Sequence, residues 1–245
     1  MRTGPEIHVI TEGATEREVG HVLRERGILS KRAKPKPPDW RSTVGSREGY
    51  TQVINNLKSD KNPLGPLRSV GGKALLIFDQ EDAASPEERK NQIEADLRST
   101  DFWTDISFNR INGWNNLFEY HQNDFHIVLH ISSADVEGVP RRDFDGYILQ
   151  LLLGPEKESI ATRLAPEGVS PGELLRKAEE ELDTLMKRNG YPWTHSKSWL
   201  YAYITVFQFR QSHVWFAKRV VEVAPENELR RVFASLIEAW NRLAG

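Results

Sequence analysis

Apolar residues fall along this chain in short runs and in helical spacing near 3.6, and the switches between the two mark its elements. Ile7 to Thr11 is a short β-branched run ending at Glu12-Gly13, which predicts a strand and then a turn. Thr15-x-x-Glu18 has the spacing of a capping box, and Val19, Val22 and Leu23 then share one helical face. Lys31 to Arg41 (KRAKPKPPDWR) is too rich in proline to be helical and predicts a loop. Tyr50, Val53, Ile54 and Leu57 return to helical spacing, and Pro63 to Gly72 is rich in turn formers. Ala74 to Phe78 is unbroken apolar sequence, as a strand buried on both faces requires, and it ends abruptly in Asp79-Gln80-Glu81-Asp82. Ser85-Pro86-x-Glu88 opens a capped helix with Ile93 and Leu97 on its inner face. Ile106 to Ile111 and His126 to Ser132 predict two further strands.

Beyond Asp145 the period is helical. Tyr147 to Leu153 is a short apolar stretch. Ser170-Pro171-x-Glu173 opens a helix that turns Leu174, Leu175, Ala178, Leu182 and Leu185 inward, with Gly190 as its stop. Trp199 to Phe209 has strand-like composition, but its length and its run into Val214-Trp215-Phe216-Ala217 favour one long buried helix. Leu229, Val232, Phe233, Leu236, Ile237 and Trp240 predict a last helix. The pattern as a whole predicts an α/β domain over residues 1–135, with a mostly parallel sheet and flanking helices. A mainly helical region over residues 136–245 follows, separate or packed as one unit with the first.

Composition narrows the function. With 38% hydrophobic and 28% charged residues the chain can bury a sizeable core. Its net charge of −2 confines any nucleic-acid contact to a local patch. It has no cysteine, which excludes disulfides, zinc ribbons and thiol catalysis. The opening Met-Arg-Thr-Gly-Pro-Glu has no apolar signal core behind it, and no apolar run is long enough for a membrane span, so the expectation is a soluble cytoplasmic protein. Gly71-Gly72-Lys73 lacks the P-loop frame and precedes a strand, and no Gly-x-Ser-x-Gly elbow occurs, so NTPase and serine-hydrolase chemistry are unsupported.

The acids carry the chemistry. Glu12 follows the first strand, while Asp79, Glu81 and Asp82 follow a central one. In open α/β sheets ligands gather at the carboxyl ends of the strands. Carboxylates crowded there stay ionised only if a cation offsets their charge. Mg²⁺ accepts one or two of them and completes its octahedron with water and phosphate oxygens. Asp82 has a second reading as a helix cap, and Glu16 and Glu18 read as charges that stabilise a first helical turn.

Ile10-Thr11-Glu12-Gly13-x-Thr15-Glu16 resembles the first motif of Toprim domains, especially small bacterial ones related to the OLD-type (overcoming lysogenization defect) nucleases. Leu75-Leu76-Ile77-Phe78-Asp79-Gln80-Glu81 resembles the second, an apolar strand ending in Asp-x-Asp, with Glu81 where the pattern has Asp. The resemblance covers roughly the first half of the chain. It implies a Toprim-like fold and nuclease or nicking activity on DNA or RNA, in bacterial defence or nucleic-acid processing. Glu12 would be acid/base or metal ligand, and Asp79 and Glu81, or Asp82 in its place, would hold Mg²⁺ or Mn²⁺. Lys197 resembles a C-terminal basic residue that offsets developing phosphate charge in OLD-type nucleases; it reads equally as a surface lysine. Those nucleases work with an ATPase, so the missing P-loop leaves room for a separate ATPase subunit as partner.

Lys31, Arg32, Lys34, Lys36 and Arg41, with Trp40 among them, form a basic loop suited to track a phosphate backbone, or else a solvated surface. Arg141-Arg142 is a weaker instance. Asp143 and Asp145 are open to metal ligation or helix capping. His126 and His130 share one face, as a zinc site or as two structural histidines. Beside the nuclease stands a second hypothesis: a non-catalytic Toprim-like module that binds a partner protein or nucleic acid.

Overall fold

The computed structural model describes residues 5–35, 49–60, 62–184 and 195–245. Within them, strands β1 (Glu6–Thr11), β2 (Lys34–Pro35), β3 (Gly72–Asp79), β4 (Asn109–Arg110), β5 (Leu117–Gln122) and β6 (Phe125–Ser132) form one sheet, ordered β2-β1-β3-β6-β5-β4. The first four in that order run parallel, and β5 and β4 close one edge antiparallel. Eleven helices accompany it among the described residues: α1 (Ala14–Glu25), α2 (Tyr50–Lys58), α3 (Gly65–Val70), α4 (Pro86–Leu97), α5 (Asp145–Leu152), α6 (Lys157–Leu164), α7 (Pro171–Asp183), α8 (Ser196–Val206), α9 (His213–Val223), α10 (Glu226–Val232) and α11 (Ala234–Ala244). The chain is thus α/β with a mostly parallel sheet and a helical C-terminal region.

Strand side chains alternate between faces, so the central strands are apolar on both. Ile7, Val9, Leu75, Ile77 and Val128 meet the inner faces of α1 and of the C-terminal helices, in one core with Leu200, Phe216, Leu236 and Trp240. Ile10, Leu76, Phe78, Leu129 and Ile131 face the other way, onto Val53, Ile54 and Leu57 of α2 and Ile93 and Leu97 of α4. The region beyond residue 135 therefore supplies one cover of the sheet. Trp240 Nε1 donates to Ser30 O at 2.9 Å and ties the last helix to the end of the first βα unit.

Several elements depart from the sequence expectation. Trp199 to Ala217 is two helices, because α8 ends in a Schellman motif: Phe209 N–H reaches Ile204 O (2.9 Å) and Gln208 N–H reaches Thr205 O (3.1 Å). The left-handed position is held by Gln208 (φ 53°), not by the glycine that usually announces such a stop. The last helical stretch is likewise two helices, α10 and α11, hinged at Phe233 (φ −97°, ψ 21°). Ile106 to Ile111 contributes only Asn109–Arg110 to the sheet, although Ile106, Phe108 and Ile111 are buried. Strand β5 was not predicted at all. In the proline-rich loop, Lys34–Pro35 pairs at the sheet edge, where a missing N–H is tolerated. Leu185 and Gly190 lie outside the described residues. Among the described residues no helix is long and apolar enough to cross a membrane.

Candidate metal centre

The chain leaves β1 through α1 on one face and returns past it through α2 on the other to reach β3. The carboxyl ends of β1 and β3 therefore flank a topological switch point, where open α/β sheets form their crevice. Thr11 pairs with Ile77, which sets Glu12 beside the end of β3. There Asp79 N–H donates to Glu12 Oε2 at 3.0 Å. The two strand-end acids thus lie on the same sheet edge, as their sequence contexts predicted.

Glu12 is 6% exposed. Burial raises its pKa, opposed by the Asp79 N–H, by Arg89, by the Tyr50 N–H and by Arg141. Arg89, on α4, also locks the end of β3 by donating from Nε to Asp79 O at 2.8 Å, with Nη2 at 3.9 Å from Glu12 Oε2.

Glu81 joins them through an unusual backbone. Its φ of 60° lies in the left-handed region, which costs a non-glycine residue roughly 1–2 kcal/mol. A two-way bridge holds it there: Glu81 N–H to Arg142 O at 2.8 Å and Arg142 N–H to Glu81 O at 3.4 Å. Its carboxylate forms an ion pair with Arg141. Glu12, Asp79 and Glu81 each offer an oxygen within 4.8 Å of the others.

The loop before α5 and the first turns of α8 and α9 complete a pocket of about 320 Å³. Phe144 N–H donates to Asp79 Oδ1 at 2.8 Å and so orients that carboxylate. Asp143 accepts from Gly146 N–H at 2.9 Å, a capping bond, while also lining the pocket. Asp145 takes the Thr15 hydroxyl, and its Oδ1 is buried without a hydrogen-bond partner. The expected Thr15–Glu18 capping box does not form; Gly13 is the N-cap of α1, and Thr15 serves the pocket instead. Burial raises the Asp79 pKa well above its usual range, reinforced by Glu16, Glu12, Asp143 and Asp145. Burial likewise raises Asp143, and with Asp143 it lifts Asp145 to about 7 against the pull of Thr15 and Lys197. His213 is pushed down to about 4 by burial and by Lys197.

Of the residues singled out from sequence, Glu12, Asp79, Glu81, Arg141, Asp143, Asp145 and Lys197 line this one pocket. Asp82 does not: the left-handed turn at Glu81 sends it outward, where it is exposed. Lys31, Arg32 and Lys34 are exposed. Lys34 pairs with Glu6 at the start of β1, so it lies roughly 17 Å along the strand from the pocket end. Lys36, Trp40 and Arg41 lie outside the described residues. Arg141 faces the pocket and Arg142 pairs with Asp135 at 3.1 Å. His130 is fully buried on Ser235 (2.9 Å) rather than joined to His126, a structural role. Glu16, His195 and His213 also line the pocket and were missed as site residues. Only Glu16, four residues after Glu12, had a sequence signal; the two histidines stand at helix starts brought in by tertiary folding.

No family model, curated protein or solved structure matches this chain. The family is therefore not shown, and the Toprim resemblance rests on its two motifs.

The raised acids predict a pH effect. Asp145 ionises near pH 7 in the folded protein, against 3.8 for a free side chain, so the folded state binds the extra proton between those values. Its contribution to stability is intact below about pH 4 and is lost as pH rises through 7. Buried His213 and His130, lowered to about 4 and about 3, slope the opposite way below pH 6.5. Asp145→Asn separates the effects. Metal-free Asp145→Asn protein should gain melting temperature over wild type progressively from pH 4 to 7, and an equal difference across that range would contradict the assignment.

Proposed function

We propose that this pocket is a Mg²⁺- or Mn²⁺-dependent phosphodiesterase centre and that the protein cleaves or nicks DNA or RNA. The observation that carries the reading is the meeting of Glu12 and Asp79, from neighbouring parallel strands, with Glu81 in one ligand-sized cluster beside Lys197. The donor set fits the ion. Its oxygens are hard carboxylates, and Asp145 Oδ1 is a buried acceptor left without a donor. Six carboxylates (Glu12, Glu16, Asp79, Glu81, Asp143, Asp145) also outnumber the cations Arg89, Arg141 and Lys197, so the pocket favours added positive charge.

A divalent ion held there would polarise a phosphate and activate water. Asp79 is the best-placed ligand, because Phe144 N–H fixes its carboxylate. Glu12 has a raised pKa and a buried carboxylate beside that ligand, which suits it to move the proton of the attacking water. Lys197, in the first turn of α8, would offset phosphate charge as it develops. Glu81 can bind the metal through a lone pair that Arg141 does not use, and an Arg141 loosened by that ion could take a phosphate oxygen. Plasmid nicking and single-strand cleavage with Mg²⁺ or Mn²⁺ test the proposal; no metal-stimulated cleavage of any DNA or RNA form would overturn it.

One observation favours the second reading, a non-catalytic binding module. Arg141 on Glu81 and Arg89 near Glu12 already offset two of the acids. The basic segment bears on both readings. Changing Lys31, Arg32, Lys34 and Lys36 to Ala should weaken nucleic-acid binding and flatten its salt dependence, by roughly 0.9 in log–log slope for each duplex phosphate that is no longer neutralised. The fold should survive, since Lys31, Arg32 and Lys34 are exposed. An unchanged slope would return the segment to solvated surface.

A further inference from the structure

We propose that Glu119, His121 and His126 form a second metal site, independent of the acidic pocket, that takes a borderline transition-metal cation, Zn²⁺ foremost. Each offers a ligand atom within 4.8 Å of the other two. Glu119 Oε2 lies 3.4 Å from His121 Nε2 and 3.5 Å from His126 Nε2. Two ligand atoms on a tetrahedral zinc, each ~2.0–2.2 Å from it, stand roughly 3.3–3.6 Å apart. The two separations from Glu119 therefore already match those around a bound ion.

The sheet builds this arrangement. His121 and His126 are directly opposed across the antiparallel β5–β6 pair, and Glu119 lies two residues along β5 from His121, on the same face. The turn Asn123-Asp124, with Asn123 left-handed (φ 52°), closes the hairpin and fixes that register. His126 is the anchored ligand: its side chain is 13% exposed, and its buried Nε2 has no better partner than Glu119 at 3.5 Å, the outer limit of a hydrogen bond. His121 is the adaptable one. Its ring stacks on His126 (centroids 3.8 Å apart, 22° between planes), so the two rings must splay for both lone pairs to meet one ion. At 55% exposed, His121 is free to make that move.

The surroundings select the cation. Arg242 Nη1 donates to Glu119 Oε2 at 2.9 Å, and a carboxylate has lone pairs for both an arginine and a metal. Lys73 is nearby, but its ammonium is committed to the carbonyls of Leu243 (2.6 Å) and Gly245 (3.2 Å). With two positive neighbours and one carboxylate, the site holds too little negative charge for Mg²⁺ or Ca²⁺. Two neutral imidazoles and one carboxylate are instead a zinc-type donor set with room for a water. His126 pairs with Lys73 at the start of β3, six residues from Asp79, so the site is roughly 20 Å along the strand from the acidic pocket. None of the three ligands lines that pocket, which makes this a binding and stabilising site rather than part of the reaction centre.

The experiment is calorimetric titration of chelator-treated full-length protein with Zn²⁺, read beside the melting temperature, in wild type, His121→Ala, His126→Ala and Asp79→Asn. Wild type and Asp79→Asn should share one Zn²⁺ equivalent and a zinc-dependent rise in melting temperature, since an ion that binds only the folded state stabilises it. His121→Ala should lose that equivalent or bind it at least ~10-fold more weakly. His121 is exposed, so this variant folds even if His126→Ala does not. Absence of zinc binding in wild type, or wild-type affinity in His121→Ala, would overturn the proposal. Loss of the equivalent in Asp79→Asn but not in His121→Ala would assign the zinc to the acidic pocket instead.

Discussion

Asp79→Asn should abolish metal-dependent cleavage while leaving the fold intact. The asparagine keeps the side-chain shape, and its carbonyl oxygen can still accept from Phe144 N–H, the 2.8 Å bond that orients the native carboxylate. What it removes is charge at the point where β3 meets the pocket. Loss even of an outer-shell partner costs a metal site roughly 10–100-fold, so loss of a direct ligand should exceed that range. Stability should move the other way. Asp79 is held among Glu16, Glu12, Asp143 and Asp145, whose repulsion adds to burial in raising its pKa. Removing one member of that group relieves the others, so metal-free protein should melt at the same temperature or higher. Cleavage assays beside a melting curve check both halves. A variant that neither cleaves nor folds would show only that Asp79 is needed for structure. Undiminished cleavage would move the reaction centre elsewhere or expose a contaminating nuclease.

Glu12→Gln should have a different signature. Its cleavage should fall by roughly 10²–10⁴-fold, the usual worth of a positioned acid/base. Metal binding, read by Mn²⁺ titration, should survive in part, because Asp79 and Glu81 remain. The Gln side chain can also accept from Asp79 N–H, so the 3.0 Å link between β1 and β3 need not break. Equal loss of metal affinity in Glu12→Gln and Asp79→Asn would instead make Glu12 a plain ligand with no separate role in proton transfer.

The parts of this architecture that were legible in the sequence are those set by local pattern. The unbroken run Ala74 to Phe78 suits a strand covered on both sides, and it is one; Ser85 and Ser170 cap their helices by accepting from Glu88 and Glu173 N–H as their spacing predicts. The acids Glu12 and Asp79 were legible because each ends a strand, and the sheet brings strand ends together. The break between α8 and α9 was not legible, since Gln208 in the left-handed position carries no glycine signal. Glu81 and Asp82 could not be told apart for the same reason: the choice between them is made by a positive φ and by a backbone bridge to Arg142, a residue 61 positions away by their numbers. Asp145 was legible as an acid open to metal ligation or capping, but His195 and His213 reach the pocket only through packing of α8 and α9, which no local window contains. Strand β5, short and following the turn at Gly113 (φ 85°), takes its place from pairing with β6 rather than from its own sequence.

One divalent ion is expected among Glu12, Asp79 and Glu81. Anomalous diffraction at the manganese edge from crystals grown with Mn²⁺ would locate that ion directly. A peak is expected in this pocket within about 2.0–2.3 Å of an Asp79 oxygen and of an oxygen from Glu12 or Glu81. A pocket without a manganese peak, in protein that nonetheless cleaves nucleic acid with Mn²⁺, would contradict it.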